Sequence, residues 1–263
     1  MPDNKPKPIR RERYKGTHPK TFKEKYKELQ PENYADDVAK VIEQGRTPAG
    51  MHRSICVDEI LKFLKIKKGQ VGLDATLGYG GHSLEILKLI TPGGKLFALD
   101  VDPIELPKTK ERLAALGFGE DVLITRKMNF SGIDQIIYET GPLNFVLADL
   151  GVSSMQIDNP ERGFSFKVDG PLDLRLNPKS GKPVSALLKT MSQQKLERIL
   201  SENADEPFAR EIALAIISKI KSGFDIATTK QLQEIISETL VFLPAETRSD
   251  ELKKTCARCF QAL

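Results

Sequence analysis

Three aspartates follow short apolar runs, at positions where a carboxylate could bind a nucleoside. Asp74 ends the run that begins at Val71, and Asp100 and Asp149 end two later runs. Asp100 lies 20 residues after Gly80, the separation at which an acidic side chain in a βαβ unit accepts hydrogen bonds from a ribose diol. Any one of these aspartates could instead be a helix cap or a turn former. Three at the same edge of one sheet favour a nucleoside ligand.

A glycine loop, residues 74–83 (Asp-Ala-Thr-Leu-Gly-Tyr-Gly-Gly-His-Ser), separates the first apolar run from a segment with helical periodicity. This order brings backbone N–H groups up to a ligand, although a simple tight turn in an α/β domain looks similar. Ser83 stands where the dinucleotide fingerprint G-x-G-x-x-G needs its last glycine, which argues against a small-molecule Rossmann enzyme. The phosphate loop signature is also missing. A ligand with a ribose but no pyrophosphate, such as S-adenosylmethionine, fits better, and its positive charges suit a site edged with carboxylates.

The elements that position these residues alternate regularly along the chain. Apolar runs predict strands at 71–75, 95–100, 122–126 and 144–149. Helical segments lie between them, and Asp102 before Pro103 is typical of a helix start. The alternation predicts parallel βαβ units with right-handed crossovers, and therefore a doubly wound, Rossmann-like α/β sheet. In such sheets the ligand binds beyond the carboxyl ends of the strands.

The pattern changes after the fourth predicted strand. Residues 150–185 are rich in Gly, Pro, Ser and Asp and predict a long ordered loop, which in a compact domain is usually functional. Helical periodicity then returns, which predicts an all-α module with helices at 192–203, 207–222 and 229–240. We therefore predict a basic arm at 1–50, an α/β cofactor-binding core at 51–150, and a substrate loop with an inserted helical module at 151–263.

The net charge of +4 is unevenly distributed over the 263 residues. Residues 1–30 hold ten Lys or Arg and four Asp or Glu, which leaves 30 basic and 32 acidic side chains for the rest of the chain. A basic arm on a nearly neutral body suits a phosphate-rich partner, and a solvated leader that aids solubility is the equal alternative. No apolar run reaches membrane-spanning length and the first residues are charged, so we expect a cytoplasmic protein with no membrane contact.

Two of the three cysteines, Cys256 and Cys259, have C-x-x-C spacing. A zinc site would need two further ligands, and no histidine lies near them in the sequence. We interpret them as incidental reduced cysteines rather than a redox pair, and we predict no metal.

Three stretches resemble the bacterial RsmH (MraW) methyltransferases. They are residues 74–83, residues 147–156 (Leu-Ala-Asp-Leu-Gly-Val-Ser-Ser-Met-Gln) and residues 160–175 (Pro-Glu-Arg-Gly-Phe-Ser-Phe-Lys-Val-Asp-Gly-Pro-Leu-Asp-Leu-Arg). The resemblance covers roughly residues 51–263 and implies a class I methyltransferase with S-adenosyl-L-methionine as cofactor. It also implies the reaction, methylation of N4 of a cytidine in the decoding centre of 16S rRNA, with the small ribosomal subunit as partner.

The resemblance further implies the cofactor contacts. The glycine loop and the residue after it would contact the cofactor, one aspartate would hold the ribose, and Phe130 would pack on the adenine. The positions of this sequence that match the family's cofactor contacts are Gly80, Gly81, His82, Asp100, Phe130, Asp149 and Gln156. From the residues alone, Phe130 could equally be a core aromatic and His82 a polar residue in the first turn of a helix.

The expected reaction needs little covalent help from the protein. The exocyclic amine of cytosine is a poor nucleophile because its lone pair is delocalised into the ring. An acceptor for the amino hydrogens, in a geometry aligned with the methyl–sulfur bond, would localise that lone pair. Their position makes Asp149, Ser153 and Ser154 the candidate acceptors.

The long loop also offers candidate contacts to RNA. The target base must be unpaired or leave its stack to reach the methyl group. Stacking and phosphate contacts could come from Arg162, Phe164, Phe166 and Arg175. Salt bridges and packing that order the loop are an equally weighted alternative.

The end of the chain departs from the family pattern. Residues 257–263 resemble the family's segment after the helical insertion, whereas family members continue with the last strands of the sheet. We therefore expect the C-terminal strands to be missing and the fourth strand to be an unprotected edge. A non-catalytic RNA- or S-adenosylmethionine-binding remnant is the alternative function, and a homodimer is a further expectation.

Overall fold

The computed structural model describes residues 54–263, and the arm predicted at 1–50 lies outside these described residues. The described residues belong to one compact unit, His52–Leu263. The strands of the described part are, in chain order, β1 (Val71–Asp74), β2 (Lys95–Asp100), β3 (Leu123–Lys127) and β4 (Phe145–Leu147). The first helices are α1 (Val57–Leu64), α2 (Gly81–Ile90), α3 (Glu105–Ala115) and α4 (Ile133–Thr140).

The remaining helices follow β4. They are α5 (Ser154–Asp158), α6 (Val184–Leu188), α7 (Gln193–Ala204), α8 (Ala209–Lys221), α9 (Thr229–Thr239) and α10 (Ala245–Ala262). Among the described residues, no helix is both long enough and apolar enough to cross a membrane.

The four strands form a parallel sheet in the order β3-β2-β1-β4. Val71 pairs with Lys95 and Leu96 with Leu123, while on the other side of β1 Gly72 pairs with Phe145. The chain therefore runs outward from β1 to β3 and then returns to place β4 beside β1, which makes the gap between β1 and β4 the switch point. The predicted doubly wound sheet is confirmed.

Side chains of β2 alternate between two hydrophobic clusters, one on each face of the sheet. Leu96 and Ala98 pack into the cluster that contains the buried face of α2, and Leu99 packs with Ile136 of α4 on the other face. This alternation is the period-2 pattern of a strand covered on both faces. At β4 the cover is incomplete, because Val146 is 45% exposed and β4 pairs with β1 and with no other described strand.

A third cluster holds the helical module together. Leu196, Ile212, Ile216 and Ile236, from α7, α8 and α9, are fully buried in it. The predicted capping box at the start of α9 is confirmed: the side chain of Thr228 accepts from the backbone N–H of Gln231, whose side chain bonds back. The predicted division between a core and a helical module at residue 150 stays a prediction.

Helix α10 was not predicted from the sequence. Its first half is charged and exposed, so its apolar periodicity becomes visible only at its end, where Cys256 and Cys259 are fully buried and unpaired. Burial raises the pKa of the Cys256 thiol to about 12 and raises that of Cys259 as well. Thiols of this kind are poor nucleophiles, and they act here as small apolar side chains. Among the described residues there is no group of three or more side chains suited to a metal ion.

Candidate active site

A cavity of about 480 Å³ lies at the carboxyl edge of the sheet, where the glycine loop after β1 faces the segment after β4. This volume is within the usual range of small-molecule sites. Every residue predicted as catalytic or cofactor-binding lines it, namely Gly80, Gly81, His82, Asp100, Phe130, Asp149, Ser153, Ser154 and Gln156. The structure therefore brings into one site residues that are spread over 77 positions of the sequence.

Two side chains of helix α3 contact the glycine loop and hold it in place. The Thr109 hydroxyl donates to the Gly78 carbonyl at 2.7 Å, and the guanidinium of Arg112 lies 3.4 Å from the centre of the Tyr79 ring. Gly80 is the N-cap of α2 with φ at 77°, a left-handed conformation that glycine adopts without strain. A Cβ on Gly80 would lie 2.8 Å from the Thr109 methyl, so backbone conformation and packing both require glycine here.

We expect Gly80→Ala to weaken both folding and cofactor binding. A left-handed alanine costs about 1–2 kcal/mol, and overpacking against the buried Thr109 adds about 1 kcal/mol or more. Gly69→Ala is the matched control, because Gly69 has φ at 80° but no atom within 4 Å of the added Cβ. Thermal unfolding and titration with S-adenosylmethionine would test this. Equal stability and equal affinity of the two variants would contradict it.

Asp100 is fixed by two backbone donors at the end of β2. The N–H of Gly78 donates to Asp100 Oδ2 at 2.7 Å, and the N–H of Asp102 donates to Oδ1 at 2.8 Å. Burial raises the pKa of the Asp100 carboxyl, while these hydrogen bonds act in the opposite direction. Each carboxylate oxygen keeps a further acceptor position, so the side chain is placed to accept from a diol.

Asp74, the first of the three strand-end aspartates, does not line the cavity. Its side chain is 1% exposed, accepting from the Ser83 hydroxyl at 2.6 Å and from the Thr76 N–H at 3.0 Å. Burial raises the pKa of its carboxyl, against the effect of the Ser83 hydrogen bond. Asp74 ties β1 to the first turn of α2 and, unlike Asp100 and Asp149, does not line the cavity. Ser83, the residue that breaks the dinucleotide fingerprint, is its partner.

His82 and Asp149 face each other across the switch point. His82 Nε2 lies 2.9 Å from the Ile55 carbonyl, which can only accept, so Nε2 carries a hydrogen. Its Nδ1 lies 3.7 Å from Asp149 Oδ2. The backbone N–H of Asp149 donates to the Thr76 hydroxyl at 2.7 Å, which fixes this residue beside β1. The Asp149 side chain is 46% exposed and keeps acceptor capacity toward the cavity.

The segment after β4 enters the short helix α5 through a capping box. Ser153 Oγ accepts from the Gln156 N–H at 3.2 Å, and Gln156 Oε1 accepts from the Ser153 N–H at 2.9 Å. Gln156 Nε2 donates to Asp102 Oδ2 at 2.8 Å. Ser153 and Gln156 therefore shape this wall of the cavity, and their predicted catalytic and cofactor contacts stay predictions.

Asp102, which the sequence predicted only as a helix start, is a buried support behind the cavity wall. Its side chain is fully buried, and Oδ1 accepts from the N–H of Ile104 at 2.9 Å. Helix α3 begins at Glu105 with Ile104 as its N-cap, two residues later than the predicted start. Asp102 Oδ2 accepts from Gln156 and from Arg162 Nη1 at 2.9 Å. The second oxygen joins the sheet edge to the long loop, and its partners lie 54 and 60 residues away.

Arg162 is buried, and all the contacts of its guanidinium are internal. It is 7% exposed, and besides Asp102 its Nη2 donates to the carbonyl oxygens of Arg175 at 3.3 Å and Leu176 at 2.8 Å. Two glycines of the same stretch are required by close approach, because a Cβ on Gly163 or Gly170 would overlap a backbone carbonyl of the facing segment. For Arg162 these contacts favour the alternative that the residue orders the loop.

The other three predicted RNA contacts also lie outside the cavity lining. Phe166 packs on the helical cluster, with its ring 5.7 Å from that of Phe260 at an edge-to-face angle. Arg175 forms a two-pronged ion pair with Asp173, at 2.6 and 2.7 Å, which lowers the pKa of that carboxyl. The Phe164 ring lies 5.7 Å from the Arg162 guanidinium. Their contacts to RNA stay predictions.

The parallel sheet, the glycine loop after β1, the aspartate at the end of β2 and the cavity at the switch point are features of a Rossmann-like α/β protein. The model of the MraW methylase family matches residues 49–263, and the chain belongs to that family. It is therefore a methyltransferase, built on a Rossmann-like parallel sheet.

Three curated relatives share much of the sequence. Ribosomal RNA small subunit methyltransferase H 2 of Alkaliphilus metalliredigens (strain QYMF) is 67% identical over 263 residues, 100% of this chain and 75% of the relative. Ribosomal RNA small subunit methyltransferase H 1 of Lachnoclostridium phytofermentans (strain ATCC 700394 / DSM 18823 / ISDg) is 61% identical, over 97% of this chain and 69% of the relative. Ribosomal RNA small subunit methyltransferase H 2 of Acholeplasma laidlawii (strain PG-8A) is 51% identical, over 98% and 74%.

Proposed function

We propose that this chain transfers a methyl group from S-adenosylmethionine to N4 of a cytidine in 16S rRNA, at the decoding centre of the small ribosomal subunit. The observation that carries the proposal is that one cavity, at the switch point, is lined by every residue predicted as a cofactor or catalytic contact. The three relatives, each named as a small-subunit rRNA methyltransferase, support the choice of RNA. An rRNA substrate also supports a cytoplasmic setting.

The residues of the cavity fit S-adenosylmethionine. Asp100 is held rigidly with free acceptor positions for ribose hydroxyls, and Phe130 is 45% exposed at the cavity, available to pack on an adenine. Gly80 and Gly81 allow the backbone to approach a ligand at the start of α2. When bound, the cofactor supplies an electrophilic methyl group on a sulfonium.

Asp149 is the residue best placed to activate the target amine. Its carboxylate is exposed to the cavity, beyond the end of β4, and its backbone is anchored to Thr76. A carboxylate that accepts an amino hydrogen of cytosine raises electron density on N4 and can take the proton that the methylated amine releases. Ser154 and the capping residue Ser153 line the same wall and would orient the amine.

The entrance of the cavity offers apolar surface to a nucleobase. Leu150 is 68% exposed and Val152 is 39% exposed, and both line the cavity next to Asp149. Exposed apolar side chains beside a carboxylate suit an unstacked base, whose faces are apolar and whose edge is polar. The homodimer expected from the sequence stays a prediction.

The direct test is methyl transfer from radiolabelled S-adenosylmethionine to small subunits that lack the modification. We expect label at N4 of one cytidine of 16S rRNA, located by nuclease digestion and mass spectrometry. The same subunits already modified serve as the control and should take up no label. Binding of cofactor and rRNA without turnover would favour the non-catalytic remnant. Loss of both binding activities would contradict either function.

A further inference from the structure

The part of the loop that follows the Arg162 anchor is strongly basic. From residue 174 to residue 196 the chain has no Asp or Glu and five basic side chains, Arg175, Lys179, Lys182, Lys189 and Lys195. Arg175 pairs with Asp173 and Lys189 with Asp225. Lys179 and Lys182 are exposed, and neither forms an ion pair with any residue in the part of the chain that the structure describes.

These two lysines lie on an ordered turn that begins next to the cavity. Leu176 lines the cavity, and Lys179 follows three residues later. The Cα atoms of these two residues can therefore be at most about 11 Å apart. Asn177 Oδ1 accepts from the Lys179 N–H at 3.0 Å, and Arg175 Nη1 donates to the Gly181 carbonyl at 2.9 Å. These two hydrogen bonds fix the backbone of the turn that carries both lysine side chains.

The two arginines predicted as RNA contacts are the supports of this turn. Arg162 holds the Leu176 carbonyl and Arg175 holds the Gly181 carbonyl, while their charges are matched by Asp102 and Asp173. The positive charge that remains available to a polyanion is that of the lysines. A lysine ammonium on a flexible stem suits phosphate as a point charge and needs no exact geometry.

We propose that Lys179 and Lys182 form a phosphate-binding rim, which holds the RNA backbone next to the target nucleotide while the base enters the cavity. This rests on the proposed rRNA methyltransferase function. The rim sets affinity and register of the strand and takes no part in the transfer step. Neutralised phosphates release counterions, so the rim should be visible in the salt dependence of RNA binding.

The test compares two double variants by titration of an RNA strand that carries the target cytidine, over a series of salt concentrations. Lys179→Gln with Lys182→Gln should make the negative slope of log affinity against log salt concentration shallower by about 1.4, since each single-strand phosphate contact contributes about 0.7. Lys67→Gln with Lys68→Gln is the matched control. These two exposed lysines precede β1, at the amino edge of the sheet and opposite the cavity, and should leave the slope unchanged.

The other measurements separate the rim from the proposed function. The rim variant should keep its affinity for S-adenosylmethionine and its transfer rate at saturating RNA, and should show a raised KM for RNA. A slope that matches wild type and the control variant would overturn the rim while wild-type methylation continues. Wild-type protein that neither binds nor methylates the RNA would overturn the proposed function, and the rim with it.

Discussion

Asp149→Asn should lower the rate of methyl transfer by about 10²-fold or more, the usual contribution of a positioned acid–base group. Asparagine keeps the size of the side chain and one carbonyl acceptor, but it cannot take up a proton or stabilise positive charge on the amine. The fold should be intact, because the side chain is 46% exposed and the backbone hydrogen bond to Thr76 does not depend on it. Single-turnover transfer at saturating cofactor and RNA measures the effect directly.

The control for this variant is Asp121→Asn. Asp121 is an exposed carboxylate just before β3, at the amino edge of the sheet and therefore far from the cavity. Its substitution changes the net charge by the same amount as Asp149→Asn. The control variant should transfer methyl groups at the wild-type rate and melt at the wild-type temperature. Full activity of Asp149→Asn would remove Asp149 from the role of acceptor and leave Ser153 and Ser154 as candidates.

The sheet and the place of the cavity could be predicted because both depend on local patterns. Apolar runs between helical segments predict parallel strands, and the glycine loop and Asp100 lie within one βαβ unit. The third aspartate, Asp149, follows a strand whose neighbour in the sheet is β1, and β4 is placed there by the crossover through α4. Crossover connections between parallel strands are almost always right-handed, so few other sheet topologies are compatible with this sequence.

The roles of individual acids could not be predicted from position alone. Asp74 and Asp100 both end strands, yet Asp74 is buried against Ser83 while Asp100 reaches the cavity. An aspartate at the end of a strand faces the core or the cavity according to which side chain of the next helix hydrogen-bonds to it. That contact is set by tertiary packing. Asp102 shows the same limit over a longer range, because its second oxygen is matched by residues 54 and 60 positions later.

The long loop shows that a specific sequence motif can consist largely of residues that order the chain itself. Residues 160–175 contain arginines, aromatics and glycines in an unusual order, which suggests substrate recognition. In the structure the glycines allow backbone segments to touch, and the arginines bind carboxylates and carbonyl oxygens of the same chain. These contacts order the loop, and the lysines that follow the motif are additional proposed contacts to RNA.

Arg162→Met should destabilise the protein by about 3–5 kcal/mol, the cost of leaving a buried charge without its partner. The side chains of Asp102 and Arg162 are 0% and 7% exposed, so the remaining carboxylate cannot be compensated by water. For a chain of this size the loss corresponds to a melting temperature lower by on the order of 10 °C. Cofactor binding should weaken as well, because Gln156 and Leu176, which line the cavity, are both held through this pair.

Arg198→Met is the matched control, since Arg198 forms an ion pair with Glu202 in which both side chains are more than half exposed. That pair should contribute no more than about 0.5 kcal/mol. The double variant Asp102→Asn with Arg162→Met removes both charges, so it should lose less stability than the sum of the two single variants. If Arg162→Met melted like Arg198→Met, the pair would not anchor the loop. Strict additivity would show that the two residues act independently, and the lysine turn would then need another support.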